Sequence, residues 1–136
     1  MKFVLHRGTD LALLAMHRLS HEGRAVSGSE LADRIGTSIG FLPQIMAPLI
    51  KAGWVASDRG PGGGYRLTDE ASKAHLLDVI RATEGSDEDN RCVMREGPCP
   101  GDPSCPIHPV WMKARQVLMQ GFEGMPALLA GKGTTK

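Results

Sequence analysis

Trp54-Val55-Ala56-Ser57-Asp58-Arg59-Gly60-Pro61-Gly62-Gly63-Gly64-Tyr65-Arg66-Leu67 is the most informative run in this chain. Two β-prone pieces, Trp54-Val55-Ala56-Ser57 and Tyr65-Arg66-Leu67, flank glycines that allow a tight hairpin tip with an exposed backbone. Helical patterns precede it. In Ser27-Gly28-Ser29-Glu30-Leu31-Ala32-Asp33-Arg34-Ile35-Gly36, Ser27 followed by Glu30 is a capping-box signature. Leu31, Ala32 and Ile35 supply the buried face, and Gly36 ends the helix. Thr37 and Ser38 can cap a second helix that starts near Ser38–Gly40, runs to about Lys51 and closes at Gly53. Pro43 fits that helix only in its first turn, whereas Pro48 deletes a mid-helix hydrogen bond and predicts a kink. Two short helices joined by a tight turn and followed at once by a hairpin have the order of a winged helix-turn-helix. The second helix is then the one that lies in the major groove, with the wing beside it.

Upstream, Leu11, Leu14, Ala15, Arg18 and Leu19 fall at helical spacing, with Leu13 and Met16 widening the apolar face. This predicts a supporting helix from Thr9 to about His21, with Thr9 or Asp10 as N-cap and Gly23 just past the end. Downstream, residues 73–83 are helical, with Leu76, Leu77, Val79 and Ile80 apolar. From about Ile107 the pattern resumes as a stripe of Val110, Trp111, Ala114, Val117, Leu118 and Phe122, broad enough for partner packing. The expected class is mainly α with a small β wing. It divides into a winged helix-turn-helix domain over 1–83, a cysteine-rich loop over 84–109, a dimerisation helix over 110–130 and a disordered tail over 131–136.

The chain has 136 residues, 41% hydrophobic and 4% aromatic, so one domain-sized core of aliphatic residues and methionine is affordable in length and composition. No run of about 18 apolar residues occurs, which excludes a membrane helix. The N-terminal Met1-Lys2-Phe3-Val4-Leu5-His6-Arg7 lacks a secretory apolar core, so the expected location is the cytoplasm. Net charge is +1. Residues 1–83 hold ten basic against eight acidic side chains and residues 84–136 six against seven. This balance permits a nucleic-acid ligand without announcing one.

Cys92, Cys99 and Cys105 fall within 14 positions, in a stretch with five prolines between residues 98 and 109 that cannot be regular structure. A loop of about 20 residues inside a small domain is usually functional or disordered. Thiolates are soft ligands suited to zinc, copper(I) and iron–sulfur clusters. The gaps are wider than those of common zinc ribbons and suit a loop wrapped around an object several ångströms across. Cysteine followed by proline, at Cys99 and Cys105, also occurs in ferredoxin cluster loops. A structural zinc site from Cys92, Cys99, Cys105 and His108 and a metal-free thiol switch remain alternatives. An enzyme is not expected: no Cys–His pair has an orienting acid, and the wing glycines do not run from a strand into a helix as a dinucleotide fingerprint does.

Together, several pieces resemble the winged-helix iron–sulfur regulators typified by IscR and NsrR. They are Thr9-Asp10-Leu11-Ala12-Leu13, Gln44-Ile45, Ala52-Gly53-Trp54-Val55, the wing Arg59-Gly60-Pro61-Gly62-Gly63-Gly64-Tyr65-Arg66-Leu67 and Leu77-Asp78-Val79-Ile80-Arg81-Ala82-Thr83-Glu84-Gly85. The three cysteines and Cys105-x-x-His108-x-x-Trp111 complete the likeness, which covers about residues 3–122. The resemblance implies a homodimer joined by its C-terminal helix, binding palindromic double-stranded DNA. It also implies a repressor controlled by an iron–sulfur cluster, [4Fe–4S] by preference and [2Fe–2S] as the alternative, that senses nitric oxide, redox state or iron supply. The cluster would be held by Cys92, Cys99, Cys105 and one further ligand. Asp10 donated by the other subunit matches the NsrR-like context and is the favoured choice; His108 matches the IscR-like context and is the alternative.

For DNA, Arg59 at the wing tip can enter the minor groove, with Gly60 and Gly62 keeping the adjacent backbone open and Arg66 nearby. Gln44 can pair bidentately with adenine, and Thr37 and Ser38 can bind phosphate at the start of the second helix. No basic residue lies between Thr37 and Ile50, so arginine–guanine pairing from that helix is not expected. The charges of Arg24, Arg34, Lys51, Arg59 and Arg66 are expected to position the protein instead.

Overall fold

The first helix, α1 (Arg7–Ser20), is buried on most of its circumference: Leu11, Ala12, Leu13, Ala15, Met16 and Leu19 all lie in the core. Such a helix must be surrounded, and α1 packs against four other helices and the second strand. The computed structural model describes residues 5–85 and 91–131. After α1 come α2 (Gly28–Ile35), α3 (Leu42–Lys51), the strands β1 (Val55–Asp58) and β2 (Gly64–Leu67), a 3₁₀ turn (Asp69–Lys73) and α4 (Leu76–Glu84). Helix α5 (His108–Gly124) and the short α6 (Ala127–Ala130) complete the order. This is a winged helix-turn-helix with a long C-terminal helix. Residues 86–90, which include Asp87, Glu88 and Asp89 of the expected cysteine-rich loop, and the expected tail from 132 lie outside the described residues.

The cap of α1 differs from expectation. The helix begins at Arg7 with His6 as N-cap and no cap from its own side chains. Thr9 is instead fully buried inside the helix, where its hydroxyl donates to Glu84 at 2.6 Å and sits 2.6 Å from the Thr83 hydroxyl. Glu84 also accepts the His6 backbone N–H at 2.8 Å. A carboxylate at the end of α4 therefore does what Thr9 or Asp10 was expected to do, and the buried hydroxyl is satisfied at the same time.

Ser27 caps α2 as expected, accepting the Glu30 N–H at 3.2 Å, and Gly36 closes the helix at φ +76°. The return half of that capping box is replaced: the Glu30 carboxylate takes Arg34 at 2.8 Å and Arg24 at 3.4 Å. A return bond of that kind is found at α4, where Asp78 accepts the His75 N–H at 2.8 Å. Helix α3 starts later than expected, at Leu42, because Thr37–Phe41 forms a separate turn. Its Ser38 hydroxyl accepts the Phe41 N–H at 3.1 Å, and its Ser38 carbonyl accepts that of Leu42. Pro43 occupies the first turn, and α3 runs as one element across Pro48 to Lys51.

The two strands pair antiparallel, from Val55 opposite Leu67 to Asp58 opposite Gly64. Val26, just before α2, extends this ladder by exchanging both backbone hydrogen bonds with Tyr65 at 2.8 Å. The wing is thereby tied to the helix-turn-helix.

The C-terminal region is not one helix to residue 130. Met125 is extended (φ −95°, ψ 121°) ahead of Pro126, as the proline ring requires of the residue before it. The chain turns back there: the Met125 carbonyl accepts the Leu76 N–H at 2.7 Å and Ala127 N–H donates to Ala74 at 2.9 Å. Helix α6 then packs on α1. Gly131, expected in the tail, is buried against Leu13 and His17 with no room for a Cβ. Among the described residues no helix is long and apolar enough to cross a membrane.

Candidate metal centre and nucleic-acid interface

Residues 91–107 form no helix or strand, yet their path is tied down by hydrogen bonds. Arg91 pairs as an isolated bridge with Pro98, and the Cys92 N–H donates to the Gly97 carbonyl at 3.0 Å. Asp102 accepts from the Ser104 N–H at 2.8 Å and the Ser104 hydroxyl at 2.6 Å, bonds that hold its carboxyl below the ordinary carboxylate range. Cys105 N–H donates to the Asp102 carbonyl, and His108 N–H to that of Cys105, which leads the loop into α5. One turn along, the Trp111 indole N–H donates to the Arg91 carbonyl at 2.7 Å, clasping the loop's entry to the helix at its exit.

The result is a hollow of about 180 Å³ lined by Cys92, Cys99, Cys105 and His108, with Met94 and Trp111 among its apolar walls. All three thiols are free and half-buried. The Cys99 sulfur lies 3.1 Å from His108 Nδ1. Cys92 receives the Met94 N–H at 3.4 Å, which pulls its thiol below the usual range. Among the described residues, no three His, Cys, Asp or Glu side chains converge on a point that would hold a single ion. Three thiols around one hollow supply the soft donors that a thiolate-held iron–sulfur cluster takes.

Asp10 is elsewhere. It sits in the first turn of α1, 3.8 Å from Arg7, on the surface that α1 shares with Asp33 and Arg34 of α2. Within one chain the structure brings together the three cysteines and His108, and does not bring Asp10 to them.

In the helix-turn-helix, Leu42, Ile45, Met46 and Leu49 of α3 are buried. Gln44 is exposed on the outward side and borders a cleft with Phe41, Pro48, Gly8 and Thr83. Ser38 is exposed and Thr37 half-buried. Arg59 stands exposed at the wing tip beside Gly60 (φ +88°) and Gly62 (φ +77°). Of the other expected cations, Lys51 is exposed at the end of α3 and three are less available. Arg66 donates to Asp58 across the hairpin at 3.1 Å, and Arg24 and Arg34 are paired with Glu22 and Glu30. Hydrogen bonding from Arg34 also lowers the Glu22 pKa.

Two contacts had no sequence signal: the Thr9–Thr83–Glu84 cluster, and the Val26–Tyr65 clamp on the wing. Each joins residues distant in the chain, so only tertiary packing reveals it.

Residues 5–125, from α1 to the end of α5, match the Rrf2 family, described as an iron-dependent transcriptional regulator. The chain belongs to the Rrf2 family. Among its relatives, the HTH-type transcriptional regulator IscR of Photorhabdus laumondii is 41% identical over 98 residues, 72% of this chain and 57% of that protein. IscR of Escherichia coli O1:K1 / APEC is 38% identical over 93 residues, 68% of this chain and 57% of its own length. The chain thus spans little more than half the length of these relatives. Of solved structures, T. potens IscR superposes with a TM-score of 0.72 at 28% identity, covering 99% of this chain and 90% of that one. CymR, the global cysteine regulator of B. subtilis, superposes at 0.75 over 98% of this chain and 100% of that one. At 22% identity it speaks for the fold alone. Rrf2 proteins matched here are named as regulators of transcription, not as enzymes.

Proposed function

We propose that this Rrf2 protein is a dimeric transcription regulator, a repressor, whose grip on palindromic DNA depends on an iron–sulfur cluster held by Cys92, Cys99 and Cys105. The observation that carries this reading is the single hollow lined by all three thiols, inserted between α4 of the winged domain and the long α5. A Cys3His zinc site would draw on the same four side chains; the likeness to IscR favours a cluster, with [4Fe–4S] the preferred type and [2Fe–2S] the alternative.

His108 is the fourth donor that the geometry favours, because it already borders the hollow. Asp10 from a second copy is the competing choice, and paired variants distinguish them. When bound, the cluster supplies the iron chemistry through which nitric oxide, redox state or iron supply is sensed. The protein's part is mechanical. Trp111 holds the loop's entry against α5, so a change in loop shape is passed to the helix that sets the distance between two reading heads. Two half-sites one turn of DNA apart tolerate little change in that distance.

The test is anaerobic purification of the wild-type chain followed by iron and sulfide analysis. A brown protein with both elements is expected, colourless in Cys99→Ala, weakened in His108→Ala and unchanged in Asp10→Ala. Zinc without sulfide in the wild type would overturn the cluster reading. Equal DNA affinity of loaded and chelator-stripped protein would overturn the sensing role.

A further inference from the structure

From Ile35 to Ile50 the chain carries no charged side chain. Lys51, exposed at the C-terminal end of α3, is that helix's one cation, so the turn and the rest of α3 offer no arginine or lysine for guanine and no carboxylate for cytosine. Their outward side chains include Ser38, Ile39, Phe41, Gln44 and Ile50, while Leu42, Ile45, Met46 and Leu49 face the core. Ile39 is the most exposed of the large apolar side chains there, at 63% against 41% for Phe41 and 40% for Ile50, and it takes no part in the hydrophobic core. It is also held in place. Its turn is closed by the Ser38 hydroxyl and carbonyl on the backbone of Phe41 and Leu42, and a β-branched side chain has little χ1 freedom.

The major groove has one apolar marker, the C5-methyl of thymine. We infer that Ile39 is a specificity-determining residue that packs on a thymine methyl in each half-site, beside the adenine that Gln44 can take. On this reading the turn before α3 and the start of α3 select A·T pairs by shape and apolar contact, and guanine is not read by them. The inference rests on the DNA-binding role proposed above and goes beyond it by naming the reader and the base.

The experiment first enriches binding sequences from a random duplex library with the full-length protein, in loaded and metal-free forms. Each thymine of the enriched site is then replaced by uracil, which removes only the methyl. At one thymine per half-site, wild-type affinity is expected to fall about four-fold, the equivalent of one buried methylene group. Ile39→Ala is expected to be indifferent to that substitution and to keep the wild-type melting temperature. If uracil costs both proteins equally, or costs neither, Ile39 does not read a methyl and the inference falls while DNA binding stands. If neither form enriches any sequence, the DNA-binding proposal falls and this inference with it.

Discussion

Gly64 shows how much a single hydrogen atom in place of a side chain can matter. Its φ is +136°, and a Cβ there would collide with the Val26 carbonyl that accepts the Tyr65 N–H. Gly62 has φ +77° and open space around it. Gly64→Ala must therefore bear backbone strain of about 1–3 kcal/mol and also break the Val26 clamp, whereas Gly62→Ala bears only a left-handed conformation costing about 1–2 kcal/mol. Urea denaturation should order the stabilities as wild type, Gly62→Ala, Gly64→Ala; equal losses would show that the clamp contributes nothing. The glycine run is legible in the sequence as a hairpin tip. Which glycine is sterically required is not, because the obstructing atom belongs to residue 26.

At the scale of elements, the helices were readable wherever a 3.6-residue period met a cap, as with Leu31, Ala32 and Ile35 behind Ser27. Starts and ends were missed where another element supplies the terminal partner. The α1 start is the clearest example, since Glu84 satisfies His6 and buries the Thr9 hydroxyl that looked like a cap. Glu84→Ala would leave that hydroxyl with only Thr83 and remove a charged acceptor from the helix terminus. Hydrogen bonds to charged groups contribute roughly 1.5–3 kcal/mol, and the half-buried position argues for the lower end. A loss of about 1–2 kcal/mol by chemical denaturation is expected, with Glu84→Gln, which keeps an acceptor, losing less. Identical losses in both variants would place the effect elsewhere. The break after Gly124 was readable from Pro126, but the apolar Leu128 and Leu129 continued the helical pattern and masked it.

For the whole molecule, the sequence displayed the cysteine triplet and the stripe on α5, but it could not divide that stripe between uses within the chain and uses outside it. Trp111 is committed to the cysteine loop, and Phe122 packs on the core. Val110 (70% exposed), Ala114, Val117 (64% exposed) and Leu118 remain outward on a 17-residue helix whose only fully buried side chain is Arg115. We place the closing surface of the proposed dimer on this apolar face, which its own chain uses little; a two-fold axis through its middle would bring Val117 near its own copy. Val117→Glu tests this without touching the core. Two carboxylates brought together in an apolar interface lose hydration with no partner to compensate, which opposes association far more than folding. The variant should sediment as a monomer with a melting temperature close to that of the isolated wild-type fold. Its DNA affinity should fall to that of one half-site, because the second winged domain no longer arrives already positioned by the first. A Val117→Glu protein that sediments as a dimer would remove α5 from the interface, and with it the route by which the cysteine loop is proposed to set the spacing of the reading heads.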